Sequence, residues 1–540
     1  MQRLYTAAQV RELDRIVIEK FGISGYELMQ RAGSFTYNIL NKFFPGARDI
    51  CIFCGRGNNA GDGYVLAKLA IESKSHDKVI VINCFNPEKL EGDAKTAYQE
   101  LVTMKCKKNN LEIYDHSVLK NKFGYFDVYV DAIFGTGLTR DINDENLVHT
   151  IKFINREKKW PEYKGEGIRR RGVLSIDIPS GLNADTGSVM GVAVHAHITA
   201  TFMGRKRGMF THDGCEYSGQ IEFDDLNIPD ESYDELEESH CFLTEPYDLS
   251  PKTVGCEYLA TRKRNAHKGY FGHVLVIGGD EGYLGAPQMA AEAAMRVGSG
   301  LVSVATRKSH AAQLSIAVPE IMSHGVETLD ELMPLIKRAN VIAIGPGLGQ
   351  SEWAKLLFAR VLESDLPIII DADALNLLAE EEQSSSNWVI TPHPGEAARL
   401  LKTDVATIQS DRFQSVKMLH EKYQGDVVLK GAGTIVLGVF YSSIARDSTT
   451  DEMLVCSAGN PGMSTGGMGD VLTGVIAGLI AQGFHTTAAT GDGVLMHACA
   501  ADMAAFNKGE RGMMATDLMP YLRELSNPDL CFQIRNDNNT

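Results

Sequence analysis

The sequence lacks any long apolar run. Its most apolar stretch, residues 471–481, is far too short to cross a bilayer, and residues 1–22 contain no apolar segment of the kind found in signal peptides. We therefore expect no membrane partner and, by default, a cytoplasmic location. Cysteine is also scarce. The lone CxxC pair, Cys51 and Cys54, has no second pair to complete a zinc site, which favours buried packing over metal or redox use.

An excess of basic residues is absent as well. The chain has 53 Lys and Arg against 69 Asp and Glu, but residues 208–251 alone carry thirteen acidic side chains and no basic one. Outside that segment the charge is nearly balanced, so nothing indicates nucleic acid or an anionic membrane as a partner. The 44% hydrophobic and 23% charged composition excludes a disordered chain, a collagen-like fibre and a small disulfide scaffold.

With 540 residues, the chain is too long for a single hydrophobic core, which rarely exceeds about 250–300 residues. Apolar runs alternate with helical patterns in both halves, which predicts α/β domains with parallel sheets. In the first half the predicted strands are residues 49–54, 78–85, 127–134 and 172–178. The pattern fails around an acidic stretch, and the second half begins again at residues 272–279. We predict domains at 1–230 and 251–540, joined by an acidic linker at 231–250.

A glycine-rich segment, GRGNNAGDG at residues 55–63, follows the first predicted strand. Its glycines would let the backbone approach a ligand closely, and the helix that follows offers free N–H groups to a phosphate. Asn58, Asn59 and Asp62 add polar side chains at the same place. The alternative is a plain β–α turn in which these residues are only caps.

Two other strand ends in this half carry polar groups. Asp131 precedes the glycine pair at residues 135–137, and Asp177 precedes Ser180. Oxygen atoms from Asn59, Asp131 and Ser180 could surround a hard cation, while Asp177 could act as an acid, a base or a partner of a hydroxyl. The alternative is that the aspartates only cap turns.

These three motifs, GRGNNAGDG, VDAIFGTGL and SIDIPSGLNADTG, closely resemble the NAD(P)H-hydrate epimerase family (YjeF-like N-domain) over about residues 1–230. Ala60 stands where the family usually has glycine, so the backbone there should have a negative φ. The resemblance implies a Rossmann-like domain with Asp177 as a catalytic substrate contact, and potassium ligands at Asn59, Asp131 and Ser180. It also implies hydrate-binding residues at Asn58, Asn59, Ala60, Gly61, Asp62, Gly135, Thr136, Gly137, Leu138, Thr139, Arg140, Asp141 and Asp177.

In the second half, the segment NPGMSTGGMGDVLTGVIAGLIAQG at residues 460–483 is the strongest signal. A glycine-rich loop leads into a helix near Asp470, so the amides of residues 467–469 could hold an anion while Asp470 accepts a proton from a hydroxyl. Gly474 and Gly478 would let another helix pack closely. The alternative is that Asp470 is only the N-cap of the helix.

The GxGD helix start resembles the ribokinase-like superfamily. Together with GPGLG (345–349), DADALN (371–376), TPHPGE (391–396) and KGAGT (430–434), it resembles the ADP-dependent NAD(P)H-hydrate dehydratases over about residues 250–535. The resemblance implies Asp470 as general base, and Asp371 and Asp373 orienting Mg²⁺ through water. Further implied contacts with the hydrate are Ala286, Gly347, Gly349, His393 and Asp470, and those with the nucleotide are Lys430, Gly431, Ala432, Gly433, Thr434 and Gly469.

Both resemblances imply one metabolite. We predict two three-layer α/β/α domains in a bifunctional repair enzyme, with ADP, Mg²⁺ and K⁺ as cofactors. The first domain would interconvert the R and S hydrates of NADH or NADPH. The second would dehydrate the S form while ADP yields AMP and phosphate, and the protein would form a homodimer or homotetramer. Two alternatives remain: a ribokinase-like small-molecule kinase fused to a dinucleotide-binding module, and a first domain that binds without catalysis.

Overall fold

The structure is a computed structural model that describes residues 2–105, 110–120, 124–158, 172–237, 239–245, 262–381, 383–441 and 449–527. Contacts between Cα atoms divide the chain into two compact units. The N-terminal unit is Arg3–Ser239, and the C-terminal unit is His240–Thr540 together with Met1–Gln2. Each unit is described by itself below.

The N-terminal unit alternates strands and helices as the sequence predicts. Its strands are β1 (Gln2–Tyr5), β2 (Asp49–Cys54), β3 (Lys78–Asn83), β4 (Leu111–Asp115), β5 (Val128–Ala132), β6 (Gly172–Ile176), β7 (Ile198–Phe202), β8 (Arg205–Lys206) and β9 (Gln220–Asp224). Its helices are α1 (Ala7–Phe21), α2 (Gly25–Phe43), α3 (Asn58–Glu72), α4 (Gly92–Lys105), α5 (Glu145–Lys158), α6 (Gly214–Tyr217) and α7 (Glu231–Asp234).

Seven of these strands form a parallel sheet in the order β4-β3-β2-β5-β6-β7-β9, while β1 pairs with β8. Alternate residues of β2 enter two different cores: Ile50, Ile52 and Cys54 pack against α1 to α4, and Cys51 and Phe53 pack against α5. Burial on both faces explains why the strand is a continuous apolar run. The two cysteines of the CxxC pair therefore lie on opposite faces of the sheet, buried as expected, and cannot share a metal ion.

In the C-terminal unit the strands are β10 (Cys241–Thr244), β11 (His273–Ile277), β12 (Leu301–Thr306), β13 (Met322–Gly325), β14 (Val341–Ile344), β15 (Ile368–Ile370), β16 (Trp388–Ile390), β17 (Asp426–Leu429), β18 (Thr434–Tyr441) and β19 (Thr449–Cys456). The helices are α8 (Gly285–Arg296), α9 (Lys308–Ala317), α10 (Leu329–Ile336), α11 (Glu352–Leu362), α12 (Asp373–Leu378), α13 (Pro394–Leu400), α14 (Val405–Ser410), α15 (Arg412–Tyr423), α16 (Met468–Ala481), α17 (Thr486–Lys508) and α18 (Met519–Leu525).

This sheet has the order β13-β12-β11-β14-β15-β16-β17-β18-β19-β10 and is parallel except at β17–β18 and β18–β19. One face of it packs on α8, α16, α17 and α18. A Cβ atom added to Gly474 would lie 2.0 Å from the carbonyl oxygen of Ala290, and one at Gly478 would lie 2.7 Å from that of Ala294. The two glycines therefore permit the close helix packing that their spacing predicts.

The acidic segment predicted as a linker is more ordered than expected. Residues 238 and 246–250 lie outside the described residues, but α7 forms within the segment and β10 pairs in parallel with β19, Cys241 opposite Met453. The short apolar run of β10 is mostly buried, which local acidity does not reveal. The acidic pattern is typical of a linker or an exposed edge, and the domain bounds at 230 and 251 stay a prediction; within 231–250 the structure adds α7 and β10.

Candidate active sites

A cavity of about 1280 Å³ lies in the N-terminal unit. The strand order reverses between β2 and β5, and the crevice at such a reversal, beyond the carboxyl ends of the strands, is where open α/β sheets bind ligands. The lining includes Asn58, Asn59, Asp62, Asp177 and every residue from 135 to 141. The structure thus brings most of the predicted hydrate-binding residues to one cavity.

The glycine-rich segment differs from the predicted loop. Residues 58–62 form the first turn of α3, with Gly57 as the N-cap, and Ala60 has the negative φ of a helix. A Cβ atom on Gly63 would lie 2.7 Å from the Cβ atom of Ala132, so this turn packs directly on the sheet. Tertiary contact, rather than local propensity, makes this glycine-rich turn helical.

Asp131 and Ser180 form a buried network between two strand ends. Ser180 donates from its N–H to Asp131 Oδ2 at 2.8 Å and from its hydroxyl to Asp131 Oδ1 at 2.5 Å, while Ser175 Oγ donates to Oδ2 at 3.0 Å. Burial raises the pKa of Asp131, against the effect of these hydrogen bonds. The Phe134 N–H donates to Ser180 Oγ at 2.8 Å, which ties the network to the segment 135–141.

Asn59 is the unsatisfied group beside this network. Its side chain is buried, and among the described residues neither its amide nitrogen nor its amide oxygen has a hydrogen-bond partner. A Cβ atom added to Gly135 would lie 3.5 Å from the Asn59 Cβ atom and 2.9 Å from Asp177 Oδ2. Because a buried polar group without a partner is costly, the Asn59 amide is suited to a ligand or an ion.

Asp177 has a partner that sequence reasoning missed. Its backbone is left-handed, with φ of +67°, directly after β6. The fully buried ammonium of Lys206 forms an ion pair with Asp177 Oδ1, and donates to Thr201 Oγ1 at 2.9 Å and to the Phe202 carbonyl at 3.1 Å. Lys206 belongs to no recognisable sequence motif. It lines the cavity because the tertiary structure brings β8 there.

In the C-terminal unit the helix α16 begins earlier than predicted. Gly467, with φ of +93°, is the N-cap, so Asp470 is the third helical residue and the N-cap alternative for it was wrong. Among the described residues, its carboxylate has no hydrogen bond or ion pair. Burial, followed by the negative charge of Asp371, raises the pKa of Asp470 to about 7.

Lys430 lies beside Asp470 and connects several predicted residues. Its ammonium contacts Asp371 Oδ1 at 2.7 Å and Glu396 Oε2 at 3.7 Å, and Thr473 Oγ1 donates to Asp371 Oδ2 at 2.8 Å. Burial would raise the pKa of Asp371, but Lys430 and the hydrogen bonds hold it below its usual value. Burial raises the pKa of Glu396 to about 7. A Cβ atom on Gly469 would lie 3.3 Å from Lys430 Nζ.

The segment from Lys430 to Thr434 is the turn between β17 and β18. Gly431 has φ of +140° and Gly433 has φ of +62°, both unfavourable for other residues. The buried Arg412 donates to the carbonyls of Leu429 at 3.0 Å and of Lys430 at 3.3 Å. Arg412, which the sequence gave no reason to single out, therefore holds the predicted nucleotide loop in shape.

His393 lies between Pro392 and Pro394, a position that predicts a ring held by the two prolines, but hydrogen bonds fix it instead. It is the N-cap of α13: its Nδ1 accepts hydrogen bonds from the N–H groups of Gly395 at 2.9 Å and Glu396 at 3.3 Å, and its own N–H donates to Glu396 Oε2 at 2.7 Å. Burial lowers the pKa of His393, although half of its side chain is exposed. The ring is therefore held by a capping box, and its Nε2 lies 3.4 Å from Glu396 Oε1.

Of the remaining predicted residues, Ala286 lies in the first turn of α8, and Gly347 and Gly349 lie in the loop after β14. A Cβ atom on Gly347 would lie 2.6 Å from the carbonyl oxygen of Tyr283 and 3.3 Å from the Cβ atom of Ala286, and the Gly349 N–H donates to Asp373 Oδ2 at 2.9 Å. The segments that carry Ala286, Gly347 and Asp373 follow β11, β14 and β15, which are neighbours in the sheet. The carboxyl end of this sheet therefore gathers the predicted hydrate-binding residues.

Known proteins match both units. A family model described as NAD(P)H-hydrate dehydratase matches residues 274–524, and one described as YjeF-related protein N-terminus matches residues 25–208. The Bifunctional NAD(P)H-hydrate repair enzyme Nnr of Coxiella burnetii is 45% identical over 98% of this chain and 100% of its own length. The chain belongs to the bifunctional NAD(P)H-hydrate repair enzymes. The relative of the same name in Escherichia coli is 37% identical over 98% of this chain and 94% of its own length.

Among solved structures, the ADP/ATP-dependent NAD(P)H-hydrate dehydratase from Bacillus subtilis co-crystallized with ATP/Mg²⁺ aligns at 26% identity with a TM-score of 0.42. The alignment covers 49% of this chain and 92% of the chain of the Bacillus subtilis structure. The membership of this chain in the repair enzyme family confirms both resemblances drawn from the motifs. Within the described part of the chain, no helix has the length and apolar character needed to cross a membrane.

Proposed function

We propose that the C-terminal unit of this repair enzyme dehydrates the S hydrate of NADH or NADPH at the expense of ADP, and that the N-terminal unit interconverts the R and S hydrates. The observation that carries the first part is the Asp470 carboxylate, which has no partner among the described residues and lies next to the Lys430–Asp371 ion pair at the start of α16.

The chemical problem in the C-terminal unit is that hydroxide is a poor leaving group. Asp470 takes the proton from the hydrate's hydroxyl, whose oxygen then forms a bond to the β-phosphorus of ADP while the bond from that phosphorus to AMP breaks. Phosphate then leaves from the ring carbon as the lone pair of the ring nitrogen forms a C=N bond. Loss of a proton from the neighbouring carbon restores the double bond of the dihydronicotinamide.

The first turn of α16 is suited to the transferring phosphoryl group. The N–H groups of Met468, Gly469 and Asp470 precede the first helical hydrogen bond, which runs from Val471 to Gly467, so they are free to bind an anion. Lys430 adds a buried positive charge beside them, and the loop from Lys430 to Thr434 would hold the nucleotide. These roles rest on the motif and on this geometry.

The carboxylates at this site are compatible with Mg²⁺ bound through water. Both oxygens of Asp371 already accept hydrogen bonds, so only an outer contact suits it, whereas Asp373 keeps one oxygen without a partner among the described residues. When bound with the nucleotide, Mg²⁺ would offset charge on the phosphates.

In the N-terminal unit, Asn59, Asp131 and Ser180 provide a set of oxygen atoms that fits K⁺, and the unpartnered Asn59 amide is the observation that supports it. When bound, K⁺ would fix the segment that holds the hydrate. Asp177, paired with Lys206, would contact the carbinol centre, and residues 135–141 would line the dinucleotide. We extend the proposal to a homo-oligomeric enzyme, which light scattering after gel filtration tests.

The test supplies each hydrate separately and follows the near-UV absorbance of reduced nicotinamide. With the S hydrate, recovery that requires ADP and releases equal amounts of AMP and phosphate is the expected result. With the R hydrate, recovery should also occur, because the N-terminal unit converts it to the S form. No recovery, together with ATP turnover on a vitamin or a sugar, would instead identify a kinase and contradict the proposal.

A further inference from the structure

The helix α1 forms one wall of the cavity in the N-terminal unit, although it precedes the matched family segment at 25–208. The side of α1 that faces the cavity carries Val10, Asp14 and Ile18, which are spaced as residues on one face of a helix. At the rim, Arg11 Nη1 donates to the carbonyl of Thr136 at 3.1 Å, which attaches α1 to the predicted hydrate-binding segment. The helix is therefore part of the site.

Asp14 is the acidic side chain that α1 contributes. Among the described residues its carboxylate accepts no hydrogen bond. The Lys206 ammonium does not serve it, because its three donors are directed to Asp177, Thr201 and the Phe202 carbonyl. Asp62, also buried and lining the cavity, accepts no side-chain hydrogen bond either. Three carboxylates thus share one neighbouring ammonium.

This charge imbalance favours a bound proton. Burial, then the charge of Asp177, raises the pKa of Asp14 to about 6, and burial raises the pKa of Asp62 well above its usual range. The charged residues that line the cavity with Asp14 are Arg11, Arg15, Glu19, Arg56, Asp62, Asp93, Arg140, Asp141, Asp144, Asp177 and Lys206. Of these, Asp177 raises the pKa of Asp14 and Lys206 lowers it. Arg11 is bound to Thr136 and Arg15 pairs with Glu12 and Glu19, so neither neutralises Asp14.

We propose that Asp14 is the catalytic acid of epimerisation and that Asp177, the partner of Lys206, is the base; this inference rests on the proposed function. Protonated Asp14 gives its proton to the hydroxyl, the C–O bond breaks, water leaves with the electron pair, and the ring nitrogen's lone pair forms C=N. Water then adds to the other face, the C=N pair returns to nitrogen, and Asp177 takes the proton. The open cavity lets solvent return that proton to Asp14, and the reverse reaction exchanges the two roles.

The test replaces the carboxyl group without changing its size. Asp14→Asn should slow conversion of the R to the S hydrate by about 10²–10⁴-fold, the usual contribution of general acid–base catalysis, after subtraction of the uncatalysed rate. ADP-dependent dehydration of the S hydrate, measured on the same preparation, should not change. Glu72→Gln is the matched control, because Glu72 is exposed at the end of α3 and outside the cavity lining, and its epimerase rate should equal that of the wild type.

The pH profile separates catalysis from a structural role. The wild-type epimerase rate should fall as pH rises through about 6, where Asp14 loses its proton. This decrease of the rate with pH should be absent in Asp14→Asn. In Asp14→Glu the decrease should be present again, and part of the wild-type epimerase rate should be restored. An active wild type whose Asp14→Asn variant keeps its rate within twofold would overturn the inference alone. A wild type that does not epimerise either hydrate would overturn both the inference and the proposed function of this unit.

Discussion

Breaking the ion pair between Lys430 and Asp371 should destabilise the C-terminal unit strongly. The Asp371 side chain is 1% exposed and that of Lys430 19% exposed, so Lys430→Met leaves a buried carboxylate with only hydroxyl donors. Removing one partner of a buried pair typically costs about 3–5 kcal/mol, because the remaining charge cannot be solvated. Urea unfolding followed through Trp353 and Trp388, both buried in this unit, measures the loss.

The pH dependence of that loss has a definite sign. In the wild type Lys430 holds the pKa of Asp371 low, so the pair stabilises the fold above the ordinary carboxyl pKa and this stability disappears as pH falls. Without Lys430, burial raises the pKa of Asp371 instead. The variant's deficit should therefore be largest at neutral pH and shrink toward about pH 4.

Two further variants decide the interpretation. Lys430→Met combined with Asp371→Asn removes both charges and should recover part of the lost stability, since a buried pair is costly mainly when half of it remains. Lys355→Met, which removes an exposed pair with Glu352 in the same unit, should unfold like the wild type. A single variant as stable as this control, or a double variant no better than the single one, would refute the reasoning.

Two more predictions concern the other features of the site and fold. K⁺ should raise the unfolding temperature of the wild type, and Asn59→Ala should abolish that rise. In K⁺-free buffer Asn59→Ala should not lose stability, because the buried amide has no hydrogen-bond partner to lose. The exposed Asn58→Ala variant should keep the K⁺ effect. Gly474→Ala should lower the unfolding temperature of the C-terminal unit and its dehydratase rate, because the new Cβ atom would lie 2.0 Å from the Ala290 carbonyl; calorimetry that shows no shift would contradict this packing.

The positions of the strands and of the site could be predicted from the sequence for a physical reason. Strands buried on both faces are continuous apolar runs, and in β2 the predicted and observed bounds, 49–54, coincide. Parallel strands bring their carboxyl ends to one edge, so the polar residues that follow them converge. Asp131 and Asp177 could be singled out in this way, whereas Asp470 could be singled out by the glycine-rich loop that leads into its helix.

What could not be predicted depends on contacts distant in sequence. Asp14 lies on an amphipathic helix without a motif, and Lys206 lies on a two-residue strand whose partner, β1, is about 200 residues away in the chain. Helix α3 begins at Asn58 although its first turn is rich in glycine, which disfavours helix. It forms because nearly the whole turn is buried, and this burial outweighs helix propensity. Strand β10 pairs with β19, which lies far from it in the sequence.

The most direct test of the central claim is the pH profile of ADP-dependent phosphate release from the S hydrate in a single turnover. If Asp470 is the base, the wild-type rate should rise with pH through about 7, where its carboxyl group loses a proton. Asp470→Asn should bind ADP normally and turn over at least about 10²-fold more slowly, and its rate should no longer rise with pH through this range. An Asp470→Asn variant with the wild-type rate and profile would contradict the account.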